Sequence, residues 1–127
     1  MADSSRRKRR RLSRSGEFER VYREGRSHGN RYLVVYAFRR ADGDGDLRLG
    51  VSVGRKLGGA VERNRIKRLL PEAFWASADG LEEGLDFVIV ARPAAGELAH
   101  EGGERAIEEA LGAVLAEAGL TPGGDKR

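Results

Sequence analysis

The sequence predicts an α/β domain of the α+β two-layer sandwich kind, with helices packed on a mixed four-stranded sheet. Apolar residues alternate with period two over Arg31 to Arg39 and over Leu47 to Val53, and Leu85 to Ala91 reads as a buried strand, with Phe87, Val88, Ile89 and Val90 in a continuous apolar run. Between the last two lies a basic stretch whose apolar residues recur at helical spacing. Strand, helix, strand in succession implies a parallel crossover, so the sheet is expected to be mixed. At 127 residues the chain suits one domain with a single core, placed at 12–119, between a basic arm at 1–11 and a tail at 120–127 that are both expected to be disordered.

The arm, ending Arg6-Arg7-Lys8-Arg9-Arg10-Arg11, has no apolar periodicity and too much like charge to fold alone. It is read as a solvated tail, or as one of the unspecific basic runs found in localisation signals. Ser13 or Ser15 is placed to cap a short helix to about Arg23, with Phe18, Val21 and Tyr22 on one face, and Gly25 ends it. Arg26 to His28 supplies a short strand. Along Arg31 to Arg39, Tyr32, Val34, Tyr36 and Phe38 face one way and Leu33, Val35 and Ala37 the other, so both faces are at least partly covered. An aromatic face of this kind is either core or a platform for unstacked bases, each worth about 1–3 kcal/mol when stacked.

Asp42-Gly43-Asp44-Gly45-Asp46 imitates a calcium loop, but Leu47 stands where its glycine belongs and Val53 where its bidentate glutamate belongs. A solvated turn fits better, which pairs Leu47 to Val53 with the previous strand as an antiparallel hairpin. Gly50 to Lys56 fails as a phosphate loop, since its glycines are one residue too close and Leu57 follows the lysine. In the helix that follows, Ile66, Leu69, Leu70, Ala73 and Phe74 fall in one apolar arc, while Asn64, Arg68 and Trp75 project almost opposite Ile66. Pro71 removes the amide hydrogen owed to the Lys67 carbonyl, so a kink or a new helix start is expected there. After Arg92-Pro93 a Gly/Ala-rich loop runs to Gly103, and a last helix over about Glu104 to Ala118 carries Ile107, Leu111, Val114 and Leu115 on one face, with Gly119 as its stop.

Charge is unevenly spread. The formal net charge is +4, yet Met1 to Arg14 holds seven cations against Asp3, Gly54 to Arg68 holds six against Glu62, and Glu97 to Glu117 holds six glutamates against Arg105. A solvated helix face normally mixes signs, whereas Arg63, Arg65, Lys67 and Arg68 stand unrelieved between Glu62 and Glu72. Such a stripe suits a polyanion better than a small-molecule substrate, and nucleic acid is the expected partner. All but four of the 24 cations are arginine, which suits phosphate and stacked bases, although a coding bias toward arginine, alanine and glycine gives the same count.

Other chemistries find little support. Without cysteine there are no disulfides, thiolate zinc sites or cysteine nucleophiles, and no apolar run approaches a membrane span. A cytoplasmic protein without a membrane partner is expected. His28 and His100 have no neighbouring cysteine, second histidine or helical carboxylate partner, so no catalytic or metal-ligating residue is assigned.

Gly50-Val51-Ser52-Val53, then Lys56, Gly58, Ala60-Val61 and Arg63-Asn64-Arg65-Ile66-Lys67-Arg68, make an ordered set that resembles the protein subunit of bacterial ribonuclease P. Arg11-Leu12, Phe18, Val21-Tyr22, Gly25, Asn30-Arg31 and Ala91-Arg92-Pro93 extend the likeness over about Arg11 to Leu115. The resemblance implies a ribosomal-protein-S5-domain-2-like fold with a left-handed crossover. It also implies an endoribonuclease in which a catalytic RNA partner, with Mg²⁺, removes the 5′ leader of precursor tRNA, the protein being a non-catalytic subunit of the ribonucleoprotein. By that resemblance Lys56, Arg63, Asn64, Arg65, Lys67 and Arg68 contact the RNA subunit, while Phe18, Tyr22 and Tyr36 line a cleft for the leader. The chain departs from the family pattern at Gly54-Arg55, at Pro71 and at Gly102-Gly103. The alternative is a ribosomal-protein-like module that binds RNA without processing it, since both need a basic helix on an α/β sheet.

Overall fold

The computed structural model describes residues 9–40, 46–77, 81 and 84–120. Its elements are β1 (Arg9–Arg11), α1 (Ser15–Glu24), β2 (Arg26–Gly29), β3 (Leu33–Arg39), β4 (Leu47–Val53), a 3-10 turn (Arg55–Leu57), α2 (Ala60–Ala76), β5 (Leu85–Ala91) and α3 (Ala94–Glu117). The sheet is mixed as expected but has five strands, in the order β1-β4-β5-β3-β2.

The fifth strand corrects the view of 1–11 as an unpaired arm. Arg9, Arg10 and Arg11 pair in parallel with Leu47, Arg48 and Leu49, and the Leu12 amide donates to the Leu49 carbonyl at 2.9 Å. Charge does not forbid this at a sheet edge, where short cationic strands are common, and Asp46 takes up the Arg10 guanidinium at 2.9 Å. Residues 1–8 and 121–127 lie outside the described residues.

The expected hairpin is also corrected. β4 pairs with β1 and β5, and β5 lies between β4 and β3, parallel to the first and antiparallel to the second. The crossover β4-α2-β5 therefore joins true neighbours, as the strand-helix-strand pattern predicts. The turn proposed at Asp42 to Asp46 falls largely on residues outside those described.

β5 is central, and this explains its unbroken apolar run. Phe87, Ile89 and Ala91 enter the large core with Leu33, Val35, Leu49, Ile66, Leu70, Phe74, Ile107 and Leu111, contributed by the sheet, α2 and α3. Val88 enters a smaller core on the other face with Leu12 and Val21, against which Phe18, Tyr36, Phe38 and Val90 pack. Adjacent residues of β5 from Phe87 to Val90 thus pack toward two different cores, which is why both alternating sets are apolar over that run.

The α2 arc is buried as read, through Ile66, Leu69, Leu70, Ala73 and Phe74. The helix continues through Pro71 instead of restarting there. Enough packing on its buried face outweighs the lost hydrogen bond and ring clash, which cost about 3 kcal/mol in a helix interior. The interruption occurs instead in α3, at Gly103, whose φ of 66° and ψ of −155° only glycine adopts readily. On its N-terminal side, the stretch taken for a loop is helical from Ala94, and Ala95 and Ala99 join the large core.

Candidate nucleic-acid interface

The interface is built outward from α1. Glu17 reaches back to accept the Ser13 and Arg14 amides, both at 3.3 Å. The cap is therefore the Glu17 carboxylate with Arg14 at the N-cap position, in place of the expected serine hydroxyl. One residue on, the Phe18 ring lies over β4 at Gly50, where an added Cβ would stand 2.5 Å from Phe18 Cζ. Only a glycine lets the ring sit this close to the strand.

Phe18, Tyr22 and Tyr36 form a connected aromatic group. Phe18 and Tyr22 have centroids 6.4 Å apart, and Tyr22 meets Tyr36 edge to face at 4.9 Å. Phe18 and Tyr36 are half-buried against the smaller core, whereas Tyr22 is 38% exposed. Core packing and an accessible aromatic surface are therefore both true of this group. Phe38 adds a further aromatic, with the Arg20 guanidinium 5.5 Å from its ring centroid, a pair that period-two reading does not reveal because Arg20 lies on α1.

The cationic residues divide into three places. Lys67 and Arg68 line a cleft of about 580 Å³, with Arg10, Arg11, Leu12 and Phe18 on its β1-α1 side and Pro71, Glu72 and Trp75 on its α2 side. Lys56 lies in the 3-10 turn and lines a second cleft with Glu62, Glu97, His100 and Glu101, at the start of α3. Arg63, Asn64 and Arg65 line neither. Asn64 is exposed, Arg63 and Arg65 are half-buried, and Arg63 Nε is enclosed with no acceptor among the described residues. Trp75 is less outward than the helical wheel implies, because its ring packs against the large core and meets Phe74 edge to face at 4.9 Å.

Beneath α1 lies a charge network that sequence reading missed. Asp86 on β5 accepts Arg48 Nε and Nη2, both at 2.7 Å, and Arg40 Nη1 at 2.6 Å. Arg40 Nη2 also donates to the Asp46 carbonyl at 2.8 Å, and Arg48 Nη1 reaches Glu17 at 3.4 Å. Arg40, Asp46 and Asp86 are buried. The side-chain hydrogen bonds to Asp86 hold the Arg48 pKa above the ordinary guanidinium value, against the opposing effect of burial. A raised folded-state value means that this contribution is complete below the unfolded-state pKa and fades only as pH passes the folded one. It is therefore constant over the ordinary pH range.

Asn30 supports the neighbouring loop. Its side-chain oxygen accepts the Tyr32 and Leu33 amides at 2.9 Å, and its Nδ2 donates to the Ala110 carbonyl at 3.1 Å, tying β3 to α3. Among the described residues no group of three or more histidine or carboxylate side chains is placed to hold a metal ion, and no helix is long and apolar enough to cross a membrane.

A sequence profile of the family described as Ribonuclease P matches residues 7–115. The ribonuclease P protein component of Bacillus pumilus is 40% identical over 101 residues, covering 80% of this chain and 84% of the relative. That of Clostridium acetobutylicum is 43% identical over 84 residues, covering 66% and 71%. Among solved structures, the Staphylococcus aureus RNase P protein superposes with a TM-score of 0.77 at 33% identity, covering 87% of this chain and 96% of that one. The Thermotoga maritima protein gives 0.73 at 31% identity, covering 83% and 94%. These matches do not favour the ribosomal-protein-like alternative. With one family spanning nearly all of the described fold in sequence and again in structure, the chain belongs to the ribonuclease P protein family.

Proposed function

We propose that this chain is the protein subunit of ribonuclease P, an endoribonuclease that removes the 5′ leader of precursor tRNA in the cytoplasm. The observation that carries this is the family match over residues 7–115, joined to a cleft at which the exposed α2 cations Lys67 and Arg68 meet Phe18, one edge of the Phe18-Tyr22-Tyr36 group. In this account Lys56, Arg63, Asn64, Arg65, Lys67 and Arg68 contact the catalytic RNA, where cations neutralise phosphates and release counterions. Phe18, Tyr22 and Tyr36 hold the single-stranded leader, because unpaired bases offer faces that aromatic rings can stack on. No side chain is assigned to bond cleavage. The chemistry, with the Mg²⁺ it uses, is assigned to the RNA partner, and the protein's part is to bind and orient the two RNAs.

Two expected results separate these roles. Arg68→Ala or Lys67→Ala weakens binding of the RNA subunit and flattens its dependence on log salt by about 0.9 for each duplex phosphate that is no longer neutralised. Equal binding by variant and parent across several salt concentrations would remove α2 from the interface. Phe18→Ala or Tyr36→Ala instead weakens binding of precursor tRNA by about 1–3 kcal/mol for each stacked base, with mature tRNA unaffected. Equal losses for precursor and mature tRNA would rule out the aromatic group as the leader site.

A further inference from the structure

The cleft between the β1 edge and α2 has a composition that neither role above explains. Its rim carries Arg10, Arg11, Lys67 and Arg68 against the single acid Glu72, while Trp75 stands in its wall. Its floor, formed by Leu49, Val51 and Pro71, is apolar. A phosphate alone gains nothing from such a floor, and a paired duplex cannot lower a base into it. A flat apolar group with an anion on either side matches both parts, and an unstacked nucleotide has that constitution. The volume of about 580 Å³ is ample for one.

Two interactions prepare the cleft for such a guest. Trp75 is held edge-on by Phe74 at 4.9 Å, so little side-chain freedom remains to be lost when a base stacks on it. Arg10 is anchored to Asp46 at 2.9 Å with its side chain 54% exposed, which fixes the guanidinium at the rim while leaving much of it open. That ion pair also lowers the field of Arg10, so Arg11, Lys67 and Arg68 carry most of the attraction for phosphate.

We infer that this cleft is a nucleotide pocket that takes one unstacked nucleotide of the catalytic RNA, its base against Trp75 and its flanking phosphates on Arg11 and Arg68. The inference rests on the proposed function, since it takes the RNA subunit as the partner. The leader is the less suitable guest, because Phe18 is the one member of the Phe18-Tyr22-Tyr36 group that borders the cleft, and the opposite wall is the cationic α2.

Trp75 is the sole tryptophan, so its fluorescence reports on the pocket alone. The full chain is titrated with its ribonuclease P RNA, with a short single-stranded leader oligonucleotide and with a fully paired RNA duplex, while retention on filters measures binding in parallel. The RNA subunit is expected to quench Trp75 in step with binding, and the other two RNAs to leave it unchanged at equal nucleotide concentration. Trp75→Ala is expected to weaken RNA-subunit binding about five-fold or more, the loss of one stacked base. Trp75→Phe retains most of the affinity, and Arg11→Gln lowers it with the circular dichroism of the fold unaltered. Binding of the RNA subunit without quenching overturns the pocket and leaves the proposed function standing, whereas no binding overturns both. Quenching by the oligonucleotide or the duplex as strong as that by the RNA subunit overturns the choice of guest.

Discussion

Asp86→Ala is expected to destabilise the fold by about 3–5 kcal/mol, the usual consequence of deleting one partner of a buried ion pair. Asp86 accepts from both Arg40 and Arg48, and Arg40 is buried with it. Removing the carboxylate takes away the shared acceptor of two neighbouring guanidinium groups and leaves Arg48 with the longer contact to Glu17 at 3.4 Å. A domain of this size is stable by only about 5–15 kcal/mol, so the variant lies near the limit of folding. Urea unfolding of variant and parent at pH 7 measures the difference as a fall in midpoint at constant slope. A change below about 1 kcal/mol would mean that water reaches the arginines and that the network is no more than a surface pairing. The loss should also reach α1, because Arg48 links Asp86 to Glu17, which caps the helix carrying Phe18.

Phe74→Ala is expected to cost a similar amount, about 3–5 kcal/mol, for a different reason. Phe74 is fully buried where α2 meets the sheet, with Phe87 of β5 at 5.0 Å and Trp75 at 4.9 Å between ring centroids. Truncation removes the transfer energy of the ring and leaves a cavity that the sheet and α3 can only partly close. Thermal unfolding of the variant checks it. A midpoint within a degree or two of the parent would show that the neighbours collapse into the space and that this junction is not tightly packed.

Much of this architecture was legible in the sequence. Period two placed β3 and β4, the apolar run placed β5, and the helical wheel selected all five buried residues of α2. These features depend on which side of an element faces a core, and local periodicity records that directly. Strand order is different in kind. Nothing in Leu47 to Val53 shows that a strand some thirty residues later will lie between it and β3, so a hairpin was the natural but mistaken pairing. β1 was missed because composition sees the charge of Arg9–Arg11 and not the backbone groups that pair with β4. The first half of α3 was hidden by its glycines and alanines, which read as loop yet pack closely enough for Ala95 and Ala99 to be buried.

The interface divides in the same way. The unrelieved cations of α2 and the aromatics of α1 and β3 were visible as residue types at regular spacing. The cleft that brings Phe18 to Lys67 and Arg68 was not, since Arg10 and Phe18 lie fifty or more residues before Arg68 and Trp75. The Arg40-Asp86-Arg48 network was equally hidden, its partners being 46 and 38 residues apart. No spacing rule joins such pairs before the strand order is known.

The central claim is that this chain assists an RNA catalyst and does not cut RNA itself. The most direct measurement follows cleavage of a precursor tRNA at low Mg²⁺ with the purified protein alone, the cognate ribonuclease P RNA alone, and the two together. Removal of the 5′ leader is expected to be stimulated by the protein only when the RNA is present. Cleavage by the protein alone, or no stimulation of the RNA by the protein, would contradict the claim.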